Sequence, residues 1–296
     1  PAVRQLLKMS VWTFGYVVAN QVAIVVIQNL AQPGSGGVDA YAKAYIFFVL
    51  PHGLLAMSIA TTFTPEMASS VRQRNKAAFI DRTSLGLRLI ALLTLPAAAG
   101  MFVLRRAIIG VVMQHGNFDQ VAALNTSRAL GGFAVGLLGF SLYLFALRGF
   151  YAHGDTRTPF VINLFENLIN IVLALVLYRS FGVMGLALSF AIAYLVSATW
   201  ALKVLSYKVP GFPVRATLRK LAPMVLAAVV MAEVMWVAAR LVGSNAGIGA
   251  VVRVVFAGVV GLAAYVGLLA VLGVSEVQQV RARLTGRLRR PTAPSA

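Results

Sequence analysis

Glu166 has the greatest chemical reach of any residue in this sequence. It lies in an apolar stretch with Asn163, Asn167 and Asn170 close by. Spacings of three and four put these side chains on one face of a helix. A second apolar stretch carries Asn20 and Gln21. Carboxylate and amide oxygens are ligands for a hard cation such as Na⁺. A carboxyl group in a membrane can instead carry a proton. Either chemistry makes Glu166, Asn163, Asn167, Asn170 and Asn20 a candidate ion-coupling set. The alternative is that these groups hydrogen-bond between helices and hold them together. Glu233 is a further acid in an apolar run with no polar partner nearby in sequence. A neutral, inert side chain there stands beside a functional one.

Pro51-His52-Gly53 interrupts another apolar run. Proline removes a backbone donor and glycine relieves crowding, so a helix is expected to break or bend there. Such an interruption serves as a hinge in transporters or as a static kink. His52 either titrates or packs with a hydrogen-bond partner. Pro96 is expected to kink its own helix. Gly131, Gly132, Gly136 and Gly139 include a GxxxG spacing that allows close helix contact. Other chemistry is hard to build. Cysteine is absent, histidine occurs three times, and only eight residues are acidic. Disulfides and thiolate sites are excluded. No Ser-His-Asp set, metal motif or phosphate loop is present. The sequence reads as a non-enzyme.

The elements that position these residues follow from composition. Of 296 residues, 59% are hydrophobic and 11% charged, with a mean hydropathy of +0.83. A soluble domain carries about 25% charged residues, and a disordered chain lacks this apolar content. The class is an all-α polytopic membrane protein, because helices satisfy their own backbone in lipid and no barrel alternation is visible. A span needs about 20 apolar residues. About eight fit, near 9–31, 41–63, 84–104, 129–147, 159–178, 184–203, 222–242 and 250–272. The net charge of +18 falls between these runs, so it reads as a topology signal and not as a nucleic-acid footprint. With the amino terminus inside, 19 basic residues lie on the inner side and 7 on the outer. Both termini are therefore expected to be cytoplasmic.

The connections divide the chain. Residues 32–39 form a short flexible turn. Residues 66–82 are expected as an amphipathic helix on the inner surface. Residues 105–128 are expected as the longest outer connection, holding short helices. Domain boundaries fall at a six-helix group over 1–203, a cytoplasmic linker over 204–221, a final helix pair over 222–274 and a basic tail over 275–296. The tail ends in RPTAPSA, a linker composition. Residue 1 is Pro and no cleavage site follows, so the chain reads as beginning part-way through a longer protein.

Three strings carry a family resemblance. QHGNFD spans Gln114 to Asp119, and RGFYAHGDTRTPF spans Arg148 to Phe160. The third, LPHGLLAMSIATTFTP, spans Leu50 to Pro65. Together they resemble the signatures of the MurJ/MviN family, and the second is the most specific. The resemblance covers nearly the whole chain. It implies a six-helix lobe of the MOP exporter type plus a final helix pair, corresponding to the family's last eight of fourteen helices. An amino-terminal lobe would be the missing partner. The Ala/Val/Arg-rich composition looks actinobacterial.

The resemblance implies lipid II as substrate, linked to undecaprenol or decaprenol, flipped across the bacterial inner membrane by alternating access. Membrane lipids and cytoplasmic cell-wall regulatory proteins are further implied partners. No cofactor is implied beyond Na⁺ or proton coupling. A cationic cavity would hold the pyrophosphate, and the final helix pair would offer a groove for the tail. An inner-negative potential favours outward movement of an anionic head by about 2.3 kcal/mol per charge per 100 mV. The family often has an Arg about five residues before the Pro matched by Pro51, where this chain has Ile46. Lys43, one turn earlier, is the candidate substitute for substrate binding; its alternative is to snorkel to headgroups. Arg148, Asp155, Arg157 and Pro159 join Pro51, His52 and Gly53 as the gating or structural set, with Asp155 bonding backbone amides or Arg157 and Pro159 suiting a helix first turn. Related exporters of another lipid-linked saccharide or drug, and a non-transporting scaffold for cell-wall proteins, are the competing readings.

Overall fold

A computed structural model describes residues 2–113 and 120–278, with side chains from Ser10 onward. Every long element is a helix: α1 (Ala2–Leu30), α2 (Gly37–Pro51), α3 (Met57–Arg72), α4 (Lys76–Met113), α5 (Gln120–Ala152), α6 (Arg157–Phe181), α7 (Val183–Lys208), α8 (Val214–Leu241) and α9 (Gly247–Val271). A π-helical turn, His52–Ala56, joins α2 to α3 without a break. Counting α2 to α3 as one, eight helices among the described residues are long and apolar enough to cross a membrane.

Helix α5 is the centre. Buried residues occupy nearly all its length from Thr126 to Phe150, and α2, α3, α4 and α7 pack around it. Its glycines set the closest contact. A Cβ on Gly132 would meet Ala187 Cβ at 2.7 Å, one on Gly136 would meet Ala191 Cα at 2.6 Å, and one on Gly139 would meet Leu195 Cα at 2.8 Å. Small residues thus let α5 and α7 approach backbone to backbone, where dispersion and not the hydrophobic effect joins helices in lipid. Helix α6 packs on α7 and carries α1 on its other side. The α8–α9 pair packs against α4. Tyr265 donates to the Leu92 carbonyl at 3.0 Å, and Arg88 pairs with Glu276 at 2.5 Å, so the two bonds tie α9 and the turn after it to α4.

Several connections differ from expectation. Residues 66–82 are not a surface helix. They are the last turns of α3 and the first of α4, which run past the apolar zone and meet at a turn over 73–75. Asn75 Oδ1 caps α4 by accepting from the Ala78 amide at 3.0 Å, and Glu66 pairs with Arg82 at 3.1 Å across the turn. The connection expected over 105–128 is mostly helix as well, since α4 runs to Met113 and α5 starts at Gln120. The QHGNFD string, 114–119, lies outside the described residues. Residues 204–221 are helical except for 209–213, because α7 and α8 both extend into them. Long amphipathic ends outlast the apolar window that sequence counting detects. Of the tail, 275–278 form a helical turn, and 279–296 lie outside the described residues. Pro65, Pro96 and Pro223 all sit inside continuous helices, as prolines do where neighbouring groups take up the freed carbonyl.

Candidate functional site

Asn163, Glu166, Asn167 and Asn170 do share one buried face of α6, each 6% exposed or less. Asn20 reaches that face from α1. Its Oδ1 accepts from Asn163 Nδ2 and Asn167 Nδ2, both at 3.2 Å, while its own amide donates to Tyr16 O at 3.0 Å. Asn167 Nδ2 also donates to Asn163 O at 2.9 Å. At the far end Ser189 of α7 bonds Asn170 Oδ1 at 2.9 Å. No sequence pattern points to Ser189, since only the α6–α7 packing delivers it. Gln21 faces outward and takes no part.

These bonds leave oxygens over. With the amide hydrogens directed at Asn20 and the α6 backbone, Asn163 Oδ1 has no partner, nor do Glu166 Oε2 and Tyr143 Oη. Glu166 is 1% exposed, and none of the ion pairs among the described residues includes it. A carboxylate at that depth stays charged only beside a counter-charge. The cluster can therefore hold a proton on Glu166 or a cation among the spare oxygens. It holds one acid only, and no group of three or more His, Cys, Asp or Glu converges among the described residues. Glu233 is exposed on the outer face of α8.

The expected break at Pro51-His52-Gly53 is instead the π turn. The Met57 amide bonds His52 O, five residues back, so the helix stays continuous past Pro51. His52 is buried, with Nδ1 2.9 Å from Ser141 Oγ and its ring against Phe140. It has a packing partner, one the sequence did not suggest. Gly53 faces open space, where an added Cβ would meet nothing within 4 Å. With Tyr45, Ile46, Val49, Leu50 and Leu54 it lines an apolar cleft of about 390 Å³. Lys43 lies half-buried on α2, outside that lining.

The 148–160 connection is a junction. Asp155 Oδ1 accepts from the Thr158 amide at 3.0 Å. Oδ2 accepts from Thr158 Oγ1 at 2.7 Å and from Lys208 Nζ at 2.5 Å. Burial works to raise this carboxyl, but the bonds from Lys208 and Thr158 outweigh it and hold Asp155 below its ordinary value. The amide bond was expected. Arg157 is not the partner: it lies over the Trp12 ring at 5.6 Å, on the α1 side. Lys208 was missed because it ends α7, 53 residues away. Pro159 is buried in the first turn of α6, and Arg148 is half-buried near the end of α5.

A second apolar groove, about 510 Å³, runs between α5, α7 and α8, with Leu142, Leu195, Leu221 and Val225 among its walls. The groove implied by the resemblance is one offered by the final helix pair, of which α8 lines this one. Helix α9 lines none of this one.

The sequence model of a family described as "Lipid II flippase MurJ" matches residues 1–257. A probable lipid II flippase of Rhizobium meliloti (strain 1021) is 29% identical over 220 residues, 74% of this chain and 41% of that protein. Its counterpart in Rickettsia prowazekii (strain Madrid E) is 30% identical over 58% of this chain and 34% of its own length. The chain thus spans about two fifths or less of these relatives. A solved structure, "Lipid II flippase MurJ, inward closed conformation", superposes with a TM-score of 0.71 at 24% identity, over 88% of this chain and 53% of that one. An outward-facing MATE transporter of the MOP superfamily gives 0.55 at 14% identity, over 94% and 66%. At these identities both likenesses establish the fold.

Proposed function

This chain belongs to the MurJ family, and on that premise we propose that it is the carboxy-terminal portion of a lipid II flippase, moving lipid-linked peptidoglycan precursor across the bacterial inner membrane by alternating access. The observation that carries the reading is the family match over residues 1–257. The arrangement suits the task. A flippase needs no covalent chemistry; it needs a face for a partner lobe and a path for an apolar tail. The faces of α1 and α2 carry exposed Phe14, Val17, Val25, Ile46 and Leu50, a surface for a partner lobe or lipid. The α5–α7–α8 groove is apolar and, at about 510 Å³, has room for part of a polyprenyl chain.

Within this reading the amide cluster around Glu166 couples transport to a proton or Na⁺, and Lys43 contributes to the phosphate site. Both termini are cytoplasmic, and the basic tail recruits cell-wall regulatory proteins. The test is depletion of the full-length protein in its own host. Lipid II accessible to a membrane-impermeant cleaving enzyme should fall, and total lipid II should rise. Unchanged accessibility under complete depletion would overturn the reading.

A further inference from the structure

Four arginines converge at the end of the bundle where α4 finishes and α8 turns into α9. Arg105 and Arg106 of α4, Arg240 of α8 and Arg253 of α9 line a cavity of about 430 Å³. Among the described residues no carboxylate lines it, and none of the four arginines enters an ion pair. Like charges gathered this way repel, and the repulsion grows near lipid, where water screens poorly.

Three of the four are held in place by their surroundings. Arg253 bends back to the α8–α9 turn, with Nε 3.1 Å from Val242 O, one terminal nitrogen 2.6 Å from Asn245 Oδ1 and the other 2.7 Å from Gly243 O. Arg240 stacks on Trp236 at 3.6 Å, which leaves its edge N–H groups free to point outward. Arg105 lies near the Phe102 ring and donates to the Phe102 carbonyl. Its stem passes so close to α5 that a Cβ on Gly131 would meet its Cδ at 2.8 Å. Glycine at 131 is thus what lets Arg105 reach the cavity. Beneath the charges the walls are Phe102, Val103, Leu104 and Trp236.

We propose that this cavity is a binding site for the phosphate group of an anionic lipid, with the head among the arginines and the chain along Phe102 and Trp236. Guanidinium forks match phosphate oxygens in pairs, and basic pockets between membrane helices take lipid headgroups. The apolar floor favours a lipid over a free anion. The bound phosphate clamps α4 to the α8–α9 pair at this end, as Arg88–Glu276 does near the other end of α9. The observations behind this inference are independent of the flippase reading.

The test uses the full-length protein in vesicles with Trp236 as its sole tryptophan. Brominated phosphatidylglycerol should quench Trp236 several-fold more than brominated phosphatidylcholine at equal mole fraction. The preference should vanish in Arg106→Ala/Arg240→Ala and survive, weakened, in Arg106→Lys/Arg240→Lys. Gly131→Ala, which displaces Arg105, should reduce it. Two sources share this chemistry. Displacement of the brominated lipid by polyprenyl pyrophosphate at far lower mole fraction than by plain phosphatidylglycerol assigns the site to the polyprenyl lipid; equal displacement assigns it to bulk anionic lipid. Loss of the quench to inorganic phosphate alone, equal quenching by the two brominated lipids, or an unchanged preference in the double alanine variant overturns the proposal.

Discussion

Lys208 closes α7 by placing its ammonium 2.5 Å from the carboxylate of Asp155, the residue that also caps the start of α6. One side chain thereby fixes the angle between the α5–α6 turn and the end of α7. Asp155→Ala should remove a cap worth about 1 kcal/mol together with the ion pair, and lower the thermal midpoint in detergent. Asp155→Asn should recover the Thr158 bond but not the Lys208 pairing. The depressed carboxyl also sets a sign. Its stabilisation is complete above the ordinary Asp value and is lost as pH falls through the lower folded value. A melting series at falling pH should show the wild type converging on Asp155→Ala.

Arg88 and Glu276 form a more enclosed pair, 17% and 7% exposed. Breaking a dry buried pair costs about 3–5 kcal/mol, and residual exposure reduces this to roughly 2–3 kcal/mol. Burial tends to raise Glu276, but the Arg88 and Ser275 bonds prevail and hold its carboxyl low. Glu276→Ala and Arg88→Ala should each destabilise, and the double variant should be less damaging than their sum. Additive losses in a double-mutant cycle would show that the two act separately.

Gly136 faces Ala191 Cα with no room for a methyl group. Gly136→Ala should force α5 and α7 apart at a cost of about 1–3 kcal/mol. Gly53→Ala, facing open space, should leave the unfolding midpoint unchanged apart from helix propensity. Similar midpoints for both variants would contradict the packing argument.

Glu166→Gln preserves shape while removing the ionisable group. In the full-length protein it should abolish or shift the pH or Na⁺ dependence of transport. Normal dependence on both would leave the amide cluster as interhelical bonding alone.

Lys43 separates two roles by charge. Duty at the phosphate site predicts that Lys43→Ala loses flipping while Lys43→Arg keeps most of it, both inserting normally. Flipping at the wild-type rate in Lys43→Ala would make it an interfacial anchor.

The spans and the α6 polar face were legible because both are local periodicities: apolar runs of about 20 residues and Asn/Glu at spacings of three and four. What the sequence concealed depends on the third dimension. Ser141 beside His52, Ser189 beside Asn170, and Lys208 beside Asp155 are ordinary residues until packing brings them together. Helix ends were hidden for a different reason. Glu66, Arg72 and Lys76 read as a surface segment because hydropathy marks where lipid ends, while helices α3 and α4 continue to the Asn75 cap.

The π turn at His52–Ala56 has a rotational consequence. Each residue of an α-helix advances the azimuth by about 100°, and a π turn accommodates a residue in excess of that count. The orientation of α2 is thus offset from that of α3 by about 100°. Removing one residue between His52 and Ala56 would restore uniform winding. It would also swing Ile46 and Leu50 out of the open cleft, with α3 still docked on α4 and α5. The part of the cleft that α2 supplies is therefore set by a phase difference stored in the five residues of the π turn, two of which, Gly53 and Leu54, line the cleft themselves.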